Sequence, residues 1–425
     1  MEIGEKKIFD KDAAYERWDQ KNQRRGNDKY FYEEEREESY LRELKGRIQN
    51  NTSGFLKVVL TALIVLAQVC IVMFFSLQVI KNGTTWYYMI QVFSIVAIVA
   101  LINRNQSPSY RIAWISIITL LPVTGYLLYF LWGRSSKQKK ELDTHIMRQI
   151  SYGNKYLVQD DDLWVDYAED NPVSGRMVKF MLSENFLLTQ GNQVEYFPMG
   201  EDAFESIFRE LEKAEKFILI DFFIVAEGAL WDKMHEILKR KIEEGVEVKF
   251  MYDDFGAAIR TRKYFKQILE HEGFEVRVFN PIMKYTSQLY MNFRSHQKIM
   301  VIDGKVGYTG GFNLADEYAN LVERFGVWKD TGIRMKGAAV WSFTGMFLEM
   351  WNYIINSTED YEKFRPDADY VAKIPSVGYV QPYSDTPLDH ENTGENVYMN
   401  IINSAQKYVY IFTCLLYTSP SPRDA

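Results

Sequence analysis

Three apolar runs in series between Phe55 and Trp132 constrain this chain more than any other feature of its sequence. FLKVVLTALIVLAQVCIVMFFSLQVI begins at Phe55, WYYMIQVFSIVAIVALI spans Trp86 to Ile102, and IAWISIITLLPVTGYLLYFLW spans Ile112 to Trp132. As helices such runs are of the length that crosses a hydrocarbon core of roughly 30 Å. Buried core helices are the competing reading for each run, but three in succession point to N-terminal transmembrane helices, two or three in number. Lys57 lies near a run end, where its ammonium can snorkel. Trp114, Tyr129 and Trp132 fall where an aromatic belt would place them. The first run starts too far into the chain and is too long for a cleavable signal peptide. Basic residues flank the region on both sides, with Arg42, Lys45 and Arg47 before it and Arg134, Lys137, Lys139 and Lys140 after it. The positive-inside rule therefore leaves open which membrane face carries the rest of the chain.

Composition agrees with a membrane part, since 47% of the 425 residues are hydrophobic and 15% aromatic. A formal charge of −7 argues against a general nucleic-acid binder, which needs a basic surface to neutralise phosphates. Two cysteines, Cys70 and Cys414, support neither a disulfide framework nor a cysteine-ligated metal site. Residues 1–53, with EEEREE at Glu33 to Glu38, read as a solvated charged lead-in to a membrane region at 54–134.

Beyond residue 134 the pattern is α/β. FRELEKAEKFILIDFFIV is an amphipathic helix running into an apolar strand. WDKMHEILKRKIEEGVEVKFMYDD follows as a helix with Leu230, Met234, Ile237 and Leu238 on one face, a stop at Gly245 and a second strand. A further helix, the strand EVRVF, and a hairpin made of KIMVID and VGYTG complete a sheet expected to be covered by helices. An internal echo accompanies this unit: AEKFILIDF at Ala214 resembles AQKYVYIFT at Ala405, each preceded by Gly-Glu and a short helical segment. A first unit at 135–370 and only the start of a second at 371–413 are therefore expected.

The stretch SHQKIMVIDGKVGYTGGFN carries the chemistry. His296, Lys298 and Asp303 are spaced H-x-K-x4-D, and Gly310-Gly311-Phe312-Asn313 follows. Positions two apart on a strand share a face, so His296 and Lys298 address one ligand together. A neutral imidazole beside a fixed ammonium suits attack on a phosphodiester, with the lysine offsetting charge on the non-bridging oxygens. Gly310 and Gly311 let backbone approach a phosphate, and Asn313 can donate to one of its oxygens. A surface His–Lys pair is the ordinary reading of such neighbours, but in a chain with five histidines the whole pattern outweighs it.

This pattern resembles the signature of the phospholipase D superfamily, and NFRSHQKIMVIDGKVGYTGGFNLADEY with WKDTGIRMKG resembles the first half of the bacterial cardiolipin synthases. The likeness reaches from RIAWISIITLLPVTGYLLYFLWG to about Thr413; Ser295 and Gln297 stand where that family often has Asn and Arg. The resemblance implies an α/β phospholipase D-like fold with a mixed sheet, in a multi-pass protein of the bacterial plasma membrane. It implies phosphatidyl transfer between two phosphatidylglycerol molecules through a phosphatidyl-histidine on His296, giving cardiolipin and glycerol with no cofactor and no metal. It further implies Asp330 as the carboxylate that orients the imidazole, with Glu317 as a second candidate for which a structural role is equally expected. Asp303 is expected to brace its loop. In this superfamily two such motifs face each other, one histidine attacking and the other protonating the leaving group. The offset from Ala214 to His296, applied to Ala405, lands past Ala425, and LDHENTGEN offers His390 no lysine two residues on. A monomer of this chain is therefore expected to be inactive, and a homodimer would bring two copies of His296 together. CLLYTSPSPRDA, residues 414–425, resembles a translated sequencing adapter and is expected to be non-native.

Other conspicuous residues read more plainly. Asp253 and Asp254 end a strand with no histidine or third acid beside them, which argues against a metal site. His145, His235, His271 and His390 lack comparable spacing, and the stripe Trp341, Phe343, Phe347 and Trp351 reads as core packing. Two alternatives stay open: another phospholipase D-type transferase or phosphodiesterase, and a non-catalytic membrane scaffold.

Overall fold

A computed structural model describes residues 83–103, 108–129, 148–281, 294–324, 326–355, 358–375, 378–385 and 392–412, together with Leu63, Leu66 and Cys70. The charged lead-in, nearly all of the first apolar run, the basic flanks, His145, His390 and the residues from Thr413 onward lie outside them.

The second apolar run forms α1 (Gly83–Ile102), while the third is divided into α2 (Pro108–Leu120) and α3 (Pro122–Leu128). Pro122 has no N–H to give to the helix ladder, so the break falls at Leu121. These helices pack on one another through Leu101, Ile118 and Tyr129, with Trp114 set edge-on to Tyr129. Their outward residues are also apolar: Met89, Val92, Ile95, Val96, Val99 and Ile112 are all exposed. Among the described residues no helix is long and apolar enough to cross a membrane. The break before Pro122 keeps α2 and α3 short.

Helices α4 (Asp161–Asp170) and α5 (Pro172–Ser183) lead into a seven-stranded mixed sheet. Its strands are β1 (Asn192–Phe197), β2 (Phe217–Phe222), β3 (Glu247–Asp253), β4 (Glu275–Phe279), β5 (Lys298–Ile302), β6 (Val306–Gly310) and β7 (Gly332–Gly337). Their order across the sheet is β1-β7-β6-β5-β2-β3-β4, with β2, β3 and β4 parallel and the other pairings antiparallel. The strands read in the sequence are present, and β5 and β6 form the expected hairpin around Asp303-Gly304-Lys305. Asp303 and Gly304 both take positive φ there (53° and 65°), as tight hairpin turns require.

The parallel half arises from two crossovers, α7 (Ala229–Glu243) between β2 and β3, and the short helices α8 (Asp254–Ala257) and α9 (Phe265–His271) between β3 and β4. Together with α6 (Gly200–Leu211) they cover one face of the sheet. Strand alternation sends Ile218, Ile220 and Phe222 of β2 into that core. Phe217 and Leu219 point to the other face, under α10 (Val340–Ile355), where Trp341, Phe343, Phe347 and Trp351 are buried as core. Burying one such large side chain stabilises the fold by roughly 1.5–3 kcal/mol. Asp221 continues the second, apolar face of β2 as a carboxyl group, 1% exposed. After the short α11 (Ala368–Ala372), α12 (Thr393–Ser404) carries Gly394-Glu395 in its first turn, as α6 carries Gly200-Glu201. In the stretch that echoes β2, Tyr408, Tyr410 and Phe412 are exposed.

Candidate active site

The site lies where β5 begins. The segment Arg294–Gln297 is held by Asp253, the last residue of β3, which accepts the Ser295 N–H (3.1 Å), the Phe255 N–H (2.8 Å) and Arg294 Nη1 (3.2 Å). Arg294 also donates to the Asn280 carbonyl at 2.7 Å, and its guanidinium stacks over Phe255. Burial pushes the Asp253 carboxyl up to about 6 despite these donors. The sequence reading gave Asp253 no function, and the structure makes it the anchor of the residues leading to His296.

His296 and Lys298 do share a face. The imidazole packs against Phe223, ring centroids 4.8 Å apart, while its outer edge stays exposed. Lys298 Nζ lies 3.3 Å from His296 Nδ1, donates to the His296 carbonyl at 2.7 Å and sits over the Phe223 ring. Partial burial and then the Lys298 charge lower the His296 pKa, which favours the neutral imidazole. Burial also lowers Lys298 to about 8, against the pull of Asp221 and Asp330.

Gly310 ends β6 beside these residues, and Gly311 after it donates its N–H to the Thr331 carbonyl. A Cβ on Gly311 would lie 2.1 Å from Asp330 Oδ1, so the absent side chain makes room for that carboxylate. Asp330 accepts its hydrogen bond from Trp328 Nε1 (2.9 Å), and burial raises its pKa. The carboxylate expected at the imidazole thus bonds to the indole and lies near the ammonium. Asn313 is 3% exposed, and its Oδ1 accepts the Ile224 N–H at 2.9 Å. A backbone N–H can only donate, so this bond fixes the amide orientation and turns Nδ2 the other way, as a donor that also serves the Tyr318 hydroxyl.

Asp303 sits at the far end of β5, five strand residues or roughly 17 Å from Lys298. Its carboxylate accepts the N–H groups of Glu215 (2.9 Å), Lys216 (2.7 Å) and Phe217 (3.0 Å), and so joins β5 to the start of β2. Glu317 is buried and accepts from Arg260 (2.5 Å) and Arg324 (2.9 Å), which ties together two loops bordering the site. Its neighbour Asp316 caps α7 through the Ala229 and Leu230 N–H groups. The six candidate residues therefore separate by place: His296, Lys298, Asn313 and Asp330 gather at the edge, and Asp303 and Glu317 work in the frame. Sequence reasoning missed Asp221, Phe223, Asp253, Arg294 and Trp328; an acid inside the apolar run FILIDF was the one legible signal. Among the described residues no group of three or more His, Cys, Asp or Glu side chains is placed to hold a metal ion.

Residues 207–333 match the family described as cardiolipin synthase, PLD-like domain, and residues 92–134 match the phospholipase D-nuclease N-terminal family. The chain is 30% identical over 329 residues to a cardiolipin synthase of Listeria innocua, covering 76% of this chain and 67% of that protein. The chain belongs to the cardiolipin synthase family. Like that family it is a phosphatidyltransferase of the phospholipase D type. It is also 38% identical over 318 residues to an uncharacterised protein of Streptococcus mutans, covering 75% of this chain and 68% of that one. It thus spans about two thirds of the length of these curated relatives. A solved phospholipase D family member, Nuc from Salmonella typhimurium, aligns over 39% of this chain and 96% of that one at 17% identity and a TM-score of 0.29, too slight a likeness to bear on the site.

Proposed function

We propose that this protein makes cardiolipin by moving a phosphatidyl group from one phosphatidylglycerol to the glycerol hydroxyl of another. The observation that carries this reading is the pairing of a neutral-leaning, partly exposed imidazole with a buried ammonium 3.3 Å away on one strand edge. His296 attacks phosphorus, the bond from phosphorus to the headgroup oxygen breaks, and glycerol leaves with a proton. The second phosphatidylglycerol then attacks the phosphatidyl-histidine through its hydroxyl, which loses a proton as the phosphorus–nitrogen bond breaks. One phosphodiester replaces another, so the exchange needs no nucleotide.

In the resting arrangement Nδ1 faces the ammonium, which leaves the ring proton on Nε2. Arrival of a phosphate draws Lys298 to the non-bridging oxygens and frees Nδ1 to carry the proton toward a carboxylate, the role given to Asp330. Nε2 then has the lone pair for attack. Asn313 Nδ2 completes the phosphate cradle, and Gly310 and Gly311 serve it by leaving space, since the Gly311 N–H is held by the Thr331 carbonyl. The apolar outer surfaces of α1 and α2 support placement of 54–134 in the bacterial plasma membrane, with 135–370 as a first catalytic half and 371–413 as the start of a second. Among the described residues His296 is the only histidine followed two residues later by lysine. On this reading a second such histidine supplies the leaving group's proton, as a second copy of the chain could provide. Purified monomer in detergent should accordingly form the phosphatidyl-histidine slowly and little cardiolipin. Incubation with headgroup-labelled and acyl-labelled phosphatidylglycerol should leave acyl but no headgroup label on the protein, and His296→Ala should abolish it. Equal labelling of the His296→Ala variant refutes the nucleophile assignment.

A further inference from the structure

The segment that carries the catalytic pair has two faces, and the chemistry described above uses one. Along the extended Ser295–Ile299 stretch, His296 and Lys298 project to the phosphate side, and Ser295, Gln297 and Ile299 project to the other. The register of β2 against β5 pairs Asp221 with Ile299, which puts the Asp221 carboxyl on that second side. Neither carboxyl oxygen of Asp221, nor Ser295 Oγ, nor Gln297 Oε1 meets a partner at full hydrogen-bond geometry, and all four atoms are buried. A buried polar group left this way is destabilising. A cluster of them directly behind the reacting residues, in a face where Phe217, Leu219 and Val301 are packed as core, calls for a functional reason.

We propose that Asp221 is a positioning residue for His296 and Lys298, its carboxyl group setting the strand segment from the face opposite the phosphate, together with Ser295 and Gln297. The charges that act on it are Lys298, across the strand on the phosphate side, and Asp253, whose carboxylate is already occupied by Ser295 N–H, Phe255 N–H and Arg294. From α10 the same face receives Val340, Phe343, Phe347 and Trp351, none of them titratable. Burial holds the Asp221 carboxyl well above the usual carboxylate range, more than Lys298 draws it down. The Ser295 side chain is the hydrogen-bonding group beside it, and it favours the charged form less than burial disfavours it.

The proposal takes His296 as nucleophile from the function above, but its test needs no turnover, so the two can fail separately. The probe is the His296 imidazole resonance of the full chain in detergent micelles, assigned by its loss in His296→Ala and followed across pH. Asp221→Asn keeps the shape and the capacity to hydrogen-bond, and should leave the titration midpoint near its wild-type value. Asp221→Ala should move that midpoint by about half a pH unit or more. A midpoint unmoved by Asp221→Ala overturns the proposal. Should Asp221→Ala not fold, Gln297→Arg decides. A guanidinium there has Asp221 as its carboxylate, so the substitution should lower the thermal midpoint about 3–6 °C more in an Asp221→Asn background than alone. Equal shifts in both backgrounds overturn it.

Discussion

Replacing Asp303 by alanine separates bracing from chemistry. Its carboxylate receives three backbone N–H groups, from Glu215, Lys216 and Phe217, at 2.7 to 3.0 Å. Hydrogen bonds to a charged group are worth about 1.5–3 kcal/mol each, and truncation also strands the donors. The three share one acceptor and are not additive, so Asp303→Ala should cost about 3–5 kcal/mol. Against a typical stability of about 5–15 kcal/mol, that is a large fraction. Urea unfolding in mild detergent, followed by tryptophan fluorescence, should show a midpoint about 1–2 M lower. Asp303→Asn keeps one acceptor oxygen and should fall about half as far. Below the transition, His296 in the folded fraction of either variant should accept a phosphatidyl group at close to the wild-type rate. A midpoint within about 0.3 M of wild type, with phosphatidylation lost, would place Asp303 in the chemistry and refute the argument.

Two further outcomes follow from the site. Attack needs neutral His296, whose pKa is lowered from 6.5, so this requirement is met at neutral pH and fails only as pH falls through that lowered value. It also needs protonated Lys298, whose pKa is lowered to about 8, so charge on the phosphate side is lost as pH rises through about 8. The phosphatidylation rate should trace a bell between these limits, and Lys298→Arg should remove the alkaline limb, because a guanidinium stays charged; an alkaline limb retained in that variant assigns it to another group. Gly311→Ala puts a methyl 2.1 Å from Asp330 Oδ1 and must turn the carboxylate aside. Phosphatidylation should drop about 10- to 100-fold with the far-ultraviolet circular dichroism unchanged, and an undiminished rate would remove Asp330 from the mechanism.

What could be read from the sequence was what local periodicity encodes. The apolar face of Leu230, Met234, Ile237 and Leu238 marks α7 because a helix returns the same face every three to four residues. The turn at Asp303-Gly304 announces itself by residue type. Contacts across the chain left no such trace: Asp316 caps α7 from 86 residues away, and Asp253 reaches Ser295 across 42. The third apolar run reads as one span until Pro122 breaks it, because hydropathy counts apolar side chains while a helix also counts N–H groups. Asp330 was legible as a member of the site but not in its bonding, since nothing in WKDTG says that the tryptophan two residues earlier holds the carboxylate.

The spacing H-x-K-x4-D acquires a physical meaning once β5 is seen lengthwise. Its two functional residues stand where the strand begins, at the edge open to a ligand, and its aspartate stands where the strand ends, inside the frame. Four intervening residues, Ile299 to Ile302, are all buried, two toward each core, so the strand cannot slip by one position without moving Ile299 and Val301 into the core that receives Met300 and Ile302. Asp303 fixes that register at one end through three amides, and Asp253 fixes it at the other through the Ser295 N–H. The reacting pair is thus placed by two carboxylates that need never meet the substrate. The length of the motif is then set by the sheet: a residue inserted between Lys298 and Asp303 would keep every chemical group and still either turn His296 and Lys298 together to the opposite face or break the Asp303 clasp.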